Sequence, residues 1–181
     1  MSTAPAPHRK TIALVGLSGV GKSSVGRRLA AALGMPFRDA DAEVEAAAGR
    51  PIAEIFEQYG EQAFRDGERR VIARLLAEPP HVLATGGGAF MNAETRKLIK
   101  EKALSVWLKA DVEILARRVS RKENRPLLAG KDPTEVLAEQ ARQRYPAYAE
   151  ADLVVETGDT PHGVAVEAIL KALAERAEAA R

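Results

Sequence analysis

One eight-residue stretch near the N-terminus constrains the fold more than any other part of the chain. Residues 16–23 read G-L-S-G-V-G-K-S and match the phosphate-loop pattern G-x-x-x-x-G-K-[ST]. Glycines allow a tight turn whose successive N–H groups point into one concave site that suits the phosphates of a nucleotide. In such a loop Lys22 reaches the β- and γ-phosphates, and the Ser23 hydroxyl binds Mg²⁺. The stretch therefore predicts a site for a nucleotide and one magnesium ion.

The flanking sequence supports a phosphate loop rather than a plain glycine-rich turn, which is the alternative. Thr11–Val15 is a short apolar run rich in β-branched residues, as in a buried parallel strand. After the loop, Val25, Leu29 and Leu33 recur every four residues, which predicts an amphipathic helix that ends at Gly34. Strand, loop and helix thus follow one another in the order that the motif requires.

Composition limits the classes of function. The 181 residues suggest one domain over 11–181, preceded by a disordered tail over 1–10. A net charge of +2, from 27 basic and 25 acidic residues, does not favour nucleic-acid binding. The chain has no cysteine, and we find no signal peptide and no apolar run long enough to span a membrane. We therefore expect a cytoplasmic protein, and we expect a monomer because the sequence leaves no obvious apolar stripe for an interface.

Strand and helix signals alternate along the chain. Strands are predicted at 11–15, 35–38, 81–84, 104–108 and 152–156, and helices at 41–49 (capped by Asp41), 51–60, 61–77, 92–102, 111–120, 134–144 (interrupted by Pro146) and from 161 onwards. A charged segment with two prolines and one glycine, about 121–133, is predicted to be a mobile lid. This alternation predicts an α/β fold with a parallel sheet, and ligands beyond the carboxyl ends of its strands.

Two carboxylates follow the second predicted strand. Asp39 and Asp41 lie two residues apart, so one could hold Mg²⁺ while the other accepts hydrogen bonds, or a proton, from a substrate hydroxyl. The alternative is a solvated helix N-terminus, where the helix dipole favours acidic residues. Beside a phosphate loop, we favour the functional interpretation.

Three consecutive glycines follow the third predicted strand. Gly86, Gly87 and Gly88 cost more backbone entropy than a turn requires. We interpret them as backbone that approaches a small ligand closely and donates N–H groups to it, with a plain tight turn as the alternative.

Arginine is suited to gripping a carboxylate or phosphate with two hydrogen bonds. Four arginines are candidates by position: Arg65, Arg118, Arg125 and Arg144. Arg125 lies in N-R-P-L-L within the predicted lid and suits closure on phosphates, whereas a surface role is the alternative for each of the others. The histidines have no metal-ligand spacing, and we expect them to be structural.

The ordered set of motifs resembles the shikimate kinases. It comprises the phosphate loop, F-R-D-A-D, G-E-Q-A-F-R, A-T-G-G-G-A, R-P-L-L-A and R-Q-R-Y-P-A-Y, which together span residues 12–159. The resemblance implies a three-layer fold like that of nucleoside monophosphate kinases, with a five-stranded parallel sheet in the order 2-3-1-4-5. It also implies ATP-dependent phosphorylation of the shikimate 3-hydroxyl, on the route to chorismate and the aromatic amino acids.

The resemblance also assigns roles to residues on the nucleotide side. The ATP phosphates would be held by Gly19, Val20, Gly21, Lys22, Ser23 and Ser24. Ser23 would bind Mg²⁺, and Asp39 would support the ion through water. Arg125 would act on the transferring phosphate, and Arg118 and Thr160 would border the adenine.

On the acceptor side, the resemblance makes Asp41 the residue that binds the shikimate hydroxyls and the candidate base. Arg65 and Arg144 would grip the carboxylate of the acceptor. The glycines Gly86, Gly87 and Gly88 would line the acceptor site, with Gly87 donating its N–H.

Three other functions compete with this interpretation. A kinase of another polyol acid, such as gluconate, shares the loop and the acidic pair but does not predict the set Arg65, Gly87 and Arg144. A GTPase-type switch requires an N-K-x-D motif after a strand, and the sequence has none. Against a catalytically inactive binding module, the candidate reactive residues are all present: Lys22, Ser23, Asp39, Asp41 and Arg125.

Overall fold

A five-stranded parallel sheet is the centre of the fold. The computed structural model describes residues 10–120 and 132–180. The strands are Thr11–Val15 (β1), Phe37–Asp39 (β2), Val82–Ala84 (β3), Ala103–Ala110 (β4) and Leu153–Thr157 (β5). They pair in parallel in the order β2-β3-β1-β4-β5, which confirms the sheet and the strand order predicted from the sequence.

Helices follow the strands along the chain. They are Lys22–Leu33 (α1), Ala40–Ala48 (α2), Ile52–Leu76 (α3), Ala93–Lys102 (α4), Val112–Ser120 (α5), Pro133–Tyr148 (α6) and His162–Ala179 (α7), with a 3₁₀ turn over Ala89–Met91. The β1–β2 and β3–β4 connections run in opposite directions across the sheet. Because parallel crossovers are right-handed, α1 and α4 lie on opposite faces, and α7 packs beside α1. This arrangement gives the predicted three layers.

Hydrophobic burial holds the layers together. Every residue of β1 is buried, as its apolar sequence predicted. Val25 and Leu29 of α1 have no exposed surface, so the helix packs the stripe that its four-residue period predicted. β1 is therefore a rigid base for the loop that follows it.

The topology places one crevice between β1 and β3. These strands are neighbours, but the chain leaves β1 towards α1 and leaves β3 towards α4, on opposite faces of the sheet. Such a switch point opens a crevice beyond the carboxyl ends of the strands. The phosphate loop and the three glycines both begin there. β2 ends beside them, because Asp39 pairs in register with Ala84.

The cap of α2 differs from the prediction. Asp39, not Asp41, is the N-cap, since Asp39 has an extended backbone and its side chain accepts hydrogen bonds from the N–H groups of Asp41 and Ala42. Asp41 lies in the first helical turn instead. The carboxylate of Asp41 is therefore not used by the cap, and the two acidic residues have different surroundings.

Two helix interruptions turn out differently. The predicted break at Gly60 is confirmed, because this glycine has φ 86° and ψ 170° between two helical segments of α3. The predicted interruption at Pro146 is wrong, since α6 continues through it to Tyr148. Pro146 is exposed and lies in the last turn, where water can satisfy the carbonyl that loses its N–H partner. Arg144 and Tyr148 consequently share one helical face.

Two predictions fall mainly outside the described residues. The tail over 1–10 lies there except for Lys10, and so does the lid at 121–133 except for its last two residues, with Arg125 among those outside. Within 10–120 and 132–180, no helix is both long and apolar enough to cross a membrane.

Candidate active site

The phosphate loop lies at the N-terminus of α1, where backbone N–H groups are available to an anion. Gly21 is the N-cap and has a left-handed backbone with φ 98°, a conformation that side-chain-bearing residues rarely adopt. The Lys22 ammonium lies across the loop and donates to the carbonyls of Gly16 at 2.6 Å and Leu17 at 3.0 Å. A cation is thus held at the mouth of an N–H-lined turn, which is a site for phosphate groups.

Ser23 and Asp39 come together as the sequence predicted. The Ser23 hydroxyl donates to Asp39 Oδ2 at 2.6 Å, and Asp39 Oδ1 is fixed by its capping hydrogen bonds. The two residues come from different elements, the start of α1 and the end of β2. Hard oxygen donors beside a phosphate site suit Mg²⁺, which is usually bound by one or two protein oxygens together with substrate phosphates. Among the described residues, no cluster of three acidic or histidine side chains offers a protein-only metal site.

The three glycines let side chains lie directly against the backbone of the loop after β3. A Cβ on Gly86 would lie 2.8 Å from both Asp41 Oδ1 and Glu68 Oε2. A Cβ on Gly87 would lie 2.9 Å from Arg144 Nη1, and one on Gly88 would lie 2.5 Å from both Arg65 Nη atoms. Each missing side chain is thus replaced by a charged group from another element, which explains why all three positions are glycine.

Glu68 is an acidic residue of this site that the sequence analysis did not identify. It is 3% exposed, and its Oε1 accepts from Arg65 Nη1 at 2.9 Å. Its Oε2 has no hydrogen-bond partner among the residues that the structure describes. Burial raises the pKa of Glu68, and the nearby Asp41 raises it further, whereas Arg65 and Arg144 lower it. Burial thus has the largest effect, and the pKa of Glu68 lies above its ordinary value although two arginines are nearby.

Two arginines surround the glycine loop from opposite sides. Arg65 lies on α3 and pairs with Glu68 and, at 3.6 Å, with Glu61. Arg144 lies on α6 and approaches Gly87. The sequence predicted both as anion-binding residues, and the structure brings them to the same loop although they are distant in the sequence. Two guanidinium groups thus lie beside one loop, and guanidinium groups are suited to binding a carboxylate with two hydrogen bonds.

The other end of the site is formed by α5 and the segment before α7. Arg118 donates to the carbonyl of Gly158 at 2.7 Å and lies 3.4–3.5 Å from the carbonyls of Gly19 and Val20. The His162 ring packs on the phosphate loop, since a Cβ on Gly21 would lie 2.8 Å from His162 Cε1. The expectation that His162 is only structural is therefore incomplete, because it also lines the site. The sequence did carry a signal, since His162 comes shortly after β5, just as the phosphate loop and the three glycines come after β1 and β3.

One cavity of about 460 Å³ extends from the glycine loop after β3 to Arg118 and His162. Its lining comprises Ser18, Gly19, Gly21, Lys22, Ser23, Ser24, Asp39, Asp41, Thr85, Gly86, Gly87, Arg118, Thr160, Pro161 and His162. Most of the predicted site residues therefore share one cavity. Volume and polarity suit a nucleotide phosphate chain with a small polar acceptor.

Some predicted residues lie elsewhere. Val20 is 1% exposed, and its N–H donates to the Leu17 carbonyl, so its side chain belongs to the core. Gly88 belongs to the glycine loop, and Arg65 and Arg144 lie beside that loop, but none of the three is part of the cavity lining. Arg125 lies outside the described residues. Sequence reasoning also missed Ser18, Thr85, Pro161 and Tyr148, whose roles depend on contacts between distant parts of the chain.

The fold and the site together define a phosphate-loop kinase of a small molecule. The sequence model of the family described as shikimate kinase matches residues 18–174. The chain therefore belongs to the shikimate kinase family, which confirms the resemblance inferred from the motifs.

Individual relatives agree with this assignment. The shikimate kinase of Caulobacter vibrioides (strain NA1000 / CB15N) is 80% identical over 169 residues, 93% of this chain and 84% of that protein. The shikimate kinase of Zymomonas mobilis subsp. mobilis is 56% identical over 167 residues, 92% of this chain and 95% of that protein. The solved structure of shikimate kinase from Acinetobacter baumannii in complex with shikimate has a TM-score of 0.89 at 38% identity and covers 92% of this chain and 94% of that one.

Proposed function

We propose that this chain transfers the γ-phosphoryl group of ATP to the 3-hydroxyl of shikimate, giving shikimate 3-phosphate and ADP. The observation that carries the proposal is the glycine loop, where Asp41 and two arginines approach the backbone at adjacent positions. Shikimate presents one carboxylate and a set of ring hydroxyls, so it needs both a cationic grip and a carboxylate acceptor. The loop supplies both beside the phosphate site.

In the proposed mechanism, the residues of the chain position the reactants and offset charge. The shikimate carboxylate binds Arg65 and Arg144, and a ring hydroxyl donates to Asp41. The 3-hydroxyl oxygen attacks the γ-phosphorus, the bond from that phosphorus to the β,γ-bridging oxygen breaks, and Asp41 takes the hydroxyl proton. Lys22 and the N–H groups of the loop stabilise charge on the phosphates. Positioning supplies much of the rate enhancement in such transfers.

Ser23 and Asp39 are the residues that we propose for magnesium. The ion, when bound with ATP, would offset phosphate charge and help to hold the phosphate chain in line. The 2.6 Å hydrogen bond between the two residues keeps both oxygens at one spot beside the loop. Asp39 would act through a water molecule rather than directly.

The remaining roles rest on the family resemblance together with position. Arg118 and Thr160 border the end of the cavity opposite to the glycine loop, where the adenine would lie. Arg125, outside the described residues, would act on the transferring phosphate. The monomeric state and the cytoplasmic location stay predictions.

The test is release of ADP from MgATP by the purified protein, measured with shikimate, with gluconate and with neither. We expect release that depends on shikimate alone. Release with gluconate instead would keep the phosphate chemistry and overturn the acceptor. ATP binding with no acceptor-dependent release would indicate an inactive binding module.

A further inference from the structure

A buried tyrosine contacts the glycine loop from beneath. Tyr148 has no exposed surface, and its hydroxyl donates to the carbonyl oxygen of Gly87. Gly87 follows β3, whereas Tyr148 ends α6, so this hydrogen bond joins two elements that are distant in sequence. The buried Tyr148 hydroxyl therefore has a defined partner, and removing it takes that hydrogen bond from the half-buried Gly87 carbonyl.

The surroundings of Tyr148 fix its position. Its ring packs against Trp107 of β4, with ring centroids 5.7 Å apart, and against Tyr145 at 6.2 Å. Burial raises the pKa of Tyr148 to about 12, although Arg144 and Arg65 lower it in part. The hydroxyl therefore stays protonated, and able to donate, throughout the neutral range.

Tyr148 lies on the same face of α6 as Arg144. The two residues are four positions apart in a helix that continues through Pro146, and the nearby Arg144 guanidinium lowers the pKa of the Tyr148 hydroxyl. Both reach the same glycine, since Arg144 Nη1 lies 2.9 Å from where a Gly87 Cβ would be. One end of α6 thus contacts the loop through a guanidinium and a hydroxyl together.

The Gly87 carbonyl belongs to the peptide that also carries the Gly88 N–H. A trans peptide is planar, and its C=O and N–H point in opposite directions. A hydrogen bond that holds the carbonyl towards Tyr148 therefore turns the Gly88 N–H away from it. Glycine has no side chain to restrict this peptide, so the loop depends on an outside contact to keep one orientation.

We propose that Tyr148 is a positioning residue for the acceptor, which fixes the Gly87–Gly88 peptide and the Arg144 guanidinium in the orientation that binds the carboxylate of shikimate. This inference rests on the proposed function. It extends the acceptor site to a residue that does not touch the acceptor. It also makes the end of α6 part of that site.

The test is Tyr148→Phe, with Tyr145→Phe as the matched control. Tyr145 lies on the same helix and in the same aromatic cluster, but its hydroxyl donates to the carbonyl of Ala110, at 3.3 Å, away from the glycine loop. Both variants keep the ring and lose one hydroxyl. We expect Tyr148→Phe to raise the KM for shikimate about five- to tenfold with the KM for ATP changed less than twofold, and Tyr145→Phe to change neither.

A second measurement separates positioning from stability. In an Arg144→Gln background, Tyr148→Phe should change the shikimate KM less than it does alone, because the two residues act through one glycine. Independent, additive effects, an unchanged shikimate KM, or equal losses of shikimate and ATP affinity would each overturn the inference. If the unmodified protein released no ADP with shikimate, the proposed function itself would fail, and that result is distinct from these.

Discussion

At the scale of single residues, the glycines after β3 allow several charged side chains to lie close together. Asp41 and Glu68 meet at Gly86, and Glu68 also pairs with Arg65. Charged groups at such short range change each other's ionisation. The ionisation of each side chain therefore depends on its neighbours as well as on its own chemistry. Asp41 and Glu68 can each be tested by a substitution.

Asp41 is the candidate base, so Asp41→Asn should lower kcat for shikimate by about a hundredfold or more. Asparagine keeps the size and one acceptor oxygen of the side chain but cannot take the proton. The affinity for ATP, measured by equilibrium titration, should stay within about twofold. Near-normal turnover in this variant would remove Asp41 from the role of base.

Glu68 should make stability depend on pH in a defined direction. Burial raises its pKa above the ordinary 4.5, so between 4.5 and the raised value the folded chain holds a proton that the unfolded chain has lost. The free energy of unfolding of the natural protein, relative to Glu68→Gln, should be highest below about pH 4.5 and fall as the pH rises through the raised pKa. Urea unfolding of both proteins across pH 4 to 8 measures it.

Glu139 offers a control of opposite sign for that experiment. It is exposed on α6, and its hydrogen bond with Arg142 lowers its pKa. The free energy of unfolding of the natural protein, relative to Glu139→Gln, should therefore decrease as the pH falls. A difference for Glu68 that rises with pH would contradict the account of its burial.

How much could be predicted from the sequence also differs residue by residue. Lys22, Ser23, Asp39 and Asp41 were predictable because they lie in short motifs whose spacing matches a known chemistry. Glu68 and Tyr148 were not, since nothing local distinguishes a buried glutamate on α3 or a buried tyrosine on α6 from a core or surface residue. Their roles come from contacts with the glycine loop, which only the folded chain creates.

At the scale of elements, the three glycines after β3 leave space beside the backbone for charged side chains of other elements. Gly88 has φ −96° and ψ −4°, a conformation that alanine adopts without strain. The constraint on this position is therefore the Arg65 guanidinium, which occupies the space of the missing Cβ. The end of a long side chain moves at low cost, so a substitution here should displace Arg65 rather than unfold the loop.

Gly88→Ala is accordingly expected to raise the KM for shikimate about tenfold or more while the melting temperature changes little. Gly67→Ala is the control, because it lies on the same helix as Arg65 and a Cβ there would meet nothing within 4 Å. That control should leave both KM values unchanged and slightly stabilise α3. Equal shikimate KM values in the two variants would show that the space beside Gly88 is not critical.

Element boundaries were less predictable than element types. The strands and the glycine break in α3 follow from apolar runs and backbone freedom, which are local. The cap of α2 and the end of α6 do not follow from local signals. Asp39 caps α2 from the last position of β2, and Pro146 is tolerated because it lies in an exposed final turn. The latter difference matters for function, since the longer α6 carries Tyr148 to the glycine loop.

At the scale of the whole molecule, the strand order makes one site from separate motifs. Neighbouring β1 and β3 send the chain to opposite faces of the sheet, and the end of β2 lies beside β3. The phosphate loop, the acidic pair and two of the three glycines, Gly86 and Gly87, then line one cavity. The right-handed crossover rule makes this meeting predictable from the order of motifs, whereas the distances between side chains are not.

We propose that the glycine loop and its arginines bind the carboxylate of shikimate. The KM values of Arg144→Ala for shikimate and for ATP test this most directly, with Arg142→Ala as the control. Arg142 lies on the same helix but is exposed and pairs with Glu139. A hydrogen bond to a charged group contributes about 1.5–3 kcal/mol, so Arg144→Ala should raise the shikimate KM about ten- to a hundredfold and leave the ATP KM nearly unchanged. Arg142→Ala should change neither, and an unchanged shikimate KM in Arg144→Ala would place the carboxylate elsewhere.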